Sequence, residues 1–153
     1  MKKRRQQAPS VLAEVKEIYH DLAARPLERD CINRAACCHF KLTGKTPYLT
    51  RGEAMVAAAA LRASGRKALP VRQDGACPLL DPRTSQCLIY EGRPFGCRTH
   101  FCAAAGGPTP RRDVLDLIRR LEQIDASLGG NGPRKLVPAI ASALTPAERR
   151  DSL

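Results

Sequence analysis

The chain has 153 residues, with 26 Lys and Arg against 15 Asp and Glu, for a formal net charge of +11. That length suits a single domain with an ordinary core, so collapse by itself does not require a metal. Without Trp, and with three Phe and three Tyr, the core must be aliphatic, and no apolar run nears the ~20 residues of a membrane span.

Residues 1–9 are basic and polar, and are expected to form a disordered tail. Met1-Lys-Lys-Arg-Arg leads into no apolar signal core, which points to a cytoplasmic protein. From Ser10, a candidate N-cap, the positions Val11, Val15, Ile18, Tyr19 and Leu22 recur at helical spacing and predict a helix over 10–24. Pro26 stops it, because the residue before a proline is pushed out of the α region. His20, alone on this helix, reads as a surface or packing residue rather than a ligand.

The turn-rich stretch that follows carries Cys31, Cys37, Cys38 and His39, and 41–49 reads as loop. Thr50-Arg-Gly-Glu53 is a capping box, with Thr50 as N-cap and Glu53 at N3. It opens an alanine-rich helix over 50–64 that Gly65 ends, with side chains small enough for a neighbour to approach closely. Cys77-Pro-Leu-Leu and Cys87-Leu-Ile-Tyr frame a short hairpin around Asp81-Pro82. Gly92, Pro94 and Gly96 interrupt regular structure just before Cys97.

Beyond Cys102 and the 103–108 link, Thr109 and Pro110 start a helix that runs to 128. Val114, Leu117, Ile118, Leu121, Ile124 and Leu128 form its apolar stripe. A further helix is expected over 138–144, and Thr145-Pro-Ala-Glu148 would cap a last turn. The expected fold is mainly α: one small domain over 10–153, with three or four helices around an irregular cysteine-rich centre and one short β-hairpin.

In a reducing cytosol, clustered cysteines indicate metal or redox chemistry more often than disulfides, and seven would strand one thiol. Thiolates suit zinc or an iron–sulfur centre rather than magnesium or calcium. Either is satisfied by four ligands, so seven exceed one mononuclear site. The surplus could join His39 or His100 in a second site, act as resolving thiols, or pack. Arg93 and Arg98 flank Cys97, and Arg34 and Lys41 flank the cysteine pair. They either stabilise an anionic thiolate centre or are plain solvated charges.

Three pieces in fixed order carry a resemblance: Cys31-Ile-Asn-Arg34-Ala-Ala-Cys37-Cys38, then Cys77-Pro-Leu-Leu with Cys87-Leu-Ile-Tyr90, then Arg93-Pro-Phe-Gly-Cys97-Arg98. The pattern resembles the CxxCxxCC family of zinc- or iron-chelating domains, also called YkgJ-type cysteine-cluster proteins, over residues 31–102. The resemblance implies a bound zinc or iron, including an iron–sulfur cluster, with a structural or a redox role. It implies metal ligands at Cys31, Cys37, Cys38, Cys77, Cys87 and Cys97. Arg34 stands where the family has its second cysteine, so Cys102 or His100 is a candidate replacement, and Cys102 joins the candidate ligands.

Two other classes remain open. The cysteine module resembles one in flagellin lysine N-methylases, but there is no glycine-rich cofactor loop after a strand and no room for a second catalytic domain. Nucleic-acid binding through a zinc module and the basic tail would use the net charge. The chain has few aromatics for base stacking, however. The expected partner is a metal ion, with no membrane association and nucleic acid not favoured.

Overall fold

The computed structural model describes residues 2–25, 47–70, 72, 74–81, 83–84, 86–99 and 109–145. Among them the chain is mainly helical, with helices α1 (Lys2–Ala23), α2 (Arg51–Ala63), α3 (Phe95–Thr99), α4 (Leu115–Ser127) and α5 (Leu136–Leu144). Two short strands, β1 (Tyr48–Leu49) and β2 (Arg134–Lys135), and two 3-10 turns, Tyr90–Gly92 and Arg111–Asp113, complete these elements.

Helix α1 starts before Ser10, the cap expected from the apolar stripe, because Lys, Arg and Gln also favour helix. The stripe itself is buried as its period requires, from Val11 to Leu22. The chain leaves α1 through Arg25, whose guanidinium donates to the Asp113 carbonyl at 2.8 Å and pairs with the Asp116 carboxylate.

Helix α2 lies at the centre of the packing. On one side Leu49, Ala54, Ala57 and Leu61 share a core with Leu136, Ala139 and Ile140 around α5, and with Cys77, Leu79, Leu80 and Ile89. On the other, Val56 shares a second core with Val15, Ile18 and Tyr19 of α1, Leu117 and Leu121 of α4, and Phe95 of α3. The alanine run makes this two-sided packing feasible, since small side chains let several elements approach one helix. Gly92 shows how close: a Cβ there would stand 2.8 Å from the Ala60 Cβ.

Both ends of α2 are closed as the sequence indicates. Thr50 and Glu53 form the capping box. At the other end Gly65 takes φ +88°, and the N–H groups of Gly65 and Arg66 donate to the carbonyls of Arg62 and Leu61. That is the paired closure that glycine permits after a helix. Gly129 repeats it after α4, with φ +78° and donation to Ala126.

Helix α4 departs from expectation at its start. Pro110 precedes a 3-10 turn rather than opening the α-helix, and Val114 leaves helical geometry at φ −133°, ψ 11°. The Leu117 N–H bonds the Val114 carbonyl, so the Asp113 carbonyl is left to Arg25. Among the described residues the Thr109 hydroxyl is buried without a hydrogen-bond partner, so it is not serving as the cap.

The β1–β2 pair was not expected. Tyr48 pairs with Lys135 and Leu49 with Arg134, antiparallel, and the Leu136 N–H donates to the Pro47 carbonyl at 3.0 Å. Helix α5 therefore begins two residues ahead of Pro138, which sits in the first turn, where a missing N–H costs no helical bond. Arg62 closes the far end of α5 by donating to the Ala143 and Leu144 carbonyls. The last turn expected at 146–148 lies outside the described residues.

Gly92→Ala is expected to destabilise the protein by about 1–3 kcal/mol, the usual cost of overpacking. The same substitution in an Ala60→Gly background should cost less. Urea denaturation of the four proteins measures this, and equal costs in both backgrounds would contradict the close contact.

Candidate metal centre

The cysteine-bearing pieces are short and must be braced by what surrounds them. Cys77 begins a turn closed by the Leu80 N–H to the Cys77 carbonyl at 3.0 Å. Leu80 and Cys87 form an antiparallel bridge, flanked by Asp81 N–H to Gln86 carbonyl at 2.8 Å and Leu88 N–H to Leu79 carbonyl at 2.7 Å. This is the expected hairpin in reduced form. The Asp81 Oδ1 accepts from the Arg83 N–H at 2.9 Å and so makes the turn. The Arg72 guanidinium donates to the Leu80 carbonyl at 2.7 Å and pairs with Asp74, while Asp74 accepts from the Ala76 N–H. The approach to Cys77 is thereby tied to the hairpin.

Cys77 is buried at 5% exposure, and Cys87 is half-buried. Both pack against the core shared with α5. Cys97 is half-buried on α3, whose Phe95 inserts into the other core. The second half of the cysteine motif thus spans both sides of α2. Leu79, Ile89 and Phe95 are buried. Cys31, Cys37, Cys38, His39, His100, Phe101 and Cys102 lie outside the described residues. Among the described residues, no three Cys, His, Asp or Glu side chains gather as a ligand set.

Pro47 and Thr109, the first described residues after the other two cysteine-bearing segments, stand close to α3. A Cβ placed on Gly96, one residue before Cys97, would stand 3.9 Å from the Cβ of Pro47. The Thr109 N–H donates to the Thr99 carbonyl, at the end of α3, at 2.8 Å.

The flanking arginines divide in function. Arg93 stacks its guanidinium 3.8 Å from the Tyr90 ring centroid and donates to the Tyr90 carbonyl at 2.9 Å, which folds it back on its own turn. Arg98 lies 4.1 Å over the Tyr19 ring and donates to the Arg93 carbonyl at 2.7 Å and to the Glu91 carbonyl. Burial pulls the Arg98 guanidinium down from its ordinary value, while the charges of Tyr19, Glu91 and Cys97 pull it back up. A fixed cation therefore stands in the field of Cys97. Its planar fork, bonded to two carbonyls while stacked on a ring, is a feature that lysine would not reproduce.

Glu53 is the residue whose full part the sequence did not reveal. It is 3% exposed, and its Oε2 accepts from the Thr50 N–H at 2.9 Å and the Thr50 hydroxyl at 2.8 Å. Its Oε1 accepts from the Phe95 N–H at 2.8 Å and, at a long 3.5 Å, from the Tyr19 hydroxyl. One buried carboxylate thus joins α1, α2 and the start of α3. The capping box could be read from Thr50-x-x-Glu53, but the reach to Phe95 spans 42 residues and leaves no local signal. Burial pushes the Glu53 carboxyl up from its ordinary value, against the hydrogen bonds from Thr50, Phe95 and Tyr19. Burial, then the charge of Glu53, likewise raises Tyr19 well above a free tyrosine.

The family model CxxCxxCC, described as "Putative zinc- or iron-chelating domain", matches residues 30–118, more than half of the chain. That span runs from just before Cys31 through the capped helix, the hairpin and α3 into α4. No curated protein matches the chain, and no solved structure does.

The raised Glu53 value fixes the sign of a pH effect. Its contribution through proton linkage is fully present below the unfolded carboxyl value, about 4.3, and is lost as pH rises through the higher folded value. The stability advantage of the wild type over Glu53→Gln should therefore shrink as pH rises above about 4 in urea denaturation. An advantage that grows with pH would contradict the assignment.

Proposed function

The chain belongs to the CxxCxxCC zinc- or iron-chelating domain family, and from that premise we propose that it holds a thiolate-ligated zinc or iron centre beside α3. The observation that carries the reading is the placement of Cys77, Cys87 and Cys97. Cys77 and Cys87 pack with one face of α2 and Cys97 sits on α3, whose Phe95 packs with the other face, while Pro47 and Thr109, each following another cysteine-bearing segment, stand close to α3.

The donor set fits the group. The motif supplies sulfur donors, although among the described residues alone no three Cys, His, Asp or Glu side chains gather, and Arg98 follows Cys97 directly on α3. Soft or borderline ions suit such donors, and a nearby guanidinium offsets the negative charge that thiolates bring. In this reading Cys77, Cys87 and Cys97 supply ligands from the described side, and Cys31, Cys37, Cys38 and Cys102 supply the rest. The metal, when bound, would crosslink the segments that carry its ligands, or would carry electrons if it is an iron–sulfur cluster. The protein's own residues orient the thiols, limit water through Leu79, Ile89 and Phe95, and hold a cation at Cys97. The whole of 10–153 acts as one unit in this proposal, and its setting is cytoplasmic.

Cys87→Ser and Cys97→Ser should each lower bound metal per chain and lower the melting temperature, whereas Cys102→Ser should do less. Elemental analysis and thermal denaturation of the three variants decide this, and equal metal content in all three would contradict the ligand assignment. A strong chelator should likewise lower the melting temperature of the wild type, because metal bound to the folded state stabilises it by mass action.

A further inference from the structure

We propose that Glu53 is a positioning residue for the cysteine centre, fixing where α3 presents Cys97 and Arg98 through its bond to the Phe95 N–H. The inference deepens the metal-centre reading and rests on it.

Helix α3 spans Phe95–Thr99. A helix of five residues has almost no stability of its own, since isolated helices below about 12 residues are marginal in water. Its direction must therefore come from tertiary contacts. The first N–H of α3 meets the buried Glu53 oxygen at 2.8 Å. Bonds to a carboxylate are shorter and roughly twice as strong as neutral ones, and burial removes competition from water. Two residues further on is Cys97. The next residue, Arg98, stacks on the ring of Tyr19, whose hydroxyl points to the same Glu53 oxygen. Glu53 thus reaches both the helix that carries the thiol and the aromatic platform that carries the cation.

A second buried carboxylate provides a matched comparison. Asp125 is 2% exposed and also serves the start of α2, accepting from the Arg51 N–H at 2.8 Å and the Gly132 N–H at 2.9 Å. Gly130 is held so close beneath it that a Cβ there would stand 2.3 Å from Oδ2. These partners, Arg51 and Gly132, lie on α2 and on the turn after α4 rather than on α3. Glu53→Gln and Asp125→Asn therefore disturb the same end of the same helix, but only the first removes a carboxylate bonded to α3.

The test uses the full chain in two measurements. In the metal-free protein, iodoacetamide labelling followed by mass spectrometry gives the rate at Cys97 relative to Cys77. Glu53→Gln should raise that ratio severalfold, and Asp125→Asn should leave it at the wild-type value. In a cobalt(II) titration, Glu53→Gln should weaken binding by about 10–100-fold, the usual cost of losing a residue that orients a ligand, while Asp125→Asn stays near wild type. An unchanged labelling ratio in Glu53→Gln, or equal changes in the two variants, would overturn the proposal. Failure of the wild type to bind cobalt would sink the chelation reading instead, and the labelling ratio would still decide the positioning claim. Should Glu53→Gln not fold, Tyr19→Phe removes a donor from the same oxygen. It should raise the ratio in the same direction by less, and no rise would overturn the proposal.

Discussion

A single carboxylate buried between three helices is the constraint on which the rest of this arrangement depends. Burying a charge without partners is costly, and Glu53 is tolerated because its two oxygens accept hydrogen bonds from Thr50, Phe95 and Tyr19. The same bonds start α2, anchor α3 and orient the ring beneath Arg98. The interaction that solves a local problem, the unsatisfied N–H groups at a helix start, also positions chemistry 42 residues away.

Small side chains make the rest possible. The alanines of α2 let α5 and the cysteine hairpin pack on one side and α1 and α4 on the other. The missing Cβ atoms of Gly92 and Gly52 allow near-contact with Ala60 and with Val15 and Ile124. Bulkier side chains on α2 would push these elements outward. The thiols can therefore sit in turns and short segments of little intrinsic stability, because the wall behind them is rigid.

Much of this was legible in the residues. The period of Val11 to Leu22, the Thr50–Glu53 box and the Gly65 stop specify two helices, and the Asp81 turn specifies the bridge that joins Leu80 to Cys87. What escaped the reading was non-local. Two-residue strands such as Tyr48–Leu49 and Arg134–Lys135 carry no periodicity, and their pairing is set by the chain around them. Thr109 and Pro110 look like a helix start, but Arg25 claims the Asp113 carbonyl and the first turn winds tighter. Of the flanking arginines, Arg98 reaches the Tyr19 ring while Arg93 turns back on Tyr90, and sequence adjacency to Cys97 could not separate them.

Of the ligands proposed from the cysteine pattern, Cys77, Cys87 and Cys97 are carried by the described scaffold. The most direct test is metal per chain in untagged protein purified without oxygen, read by elemental analysis beside the visible absorption spectrum. The account predicts zinc or iron in whole-number ratio to protein, colourless for zinc and with broad thiolate-to-iron bands for iron. Protein that is folded and carries neither element above trace would contradict it.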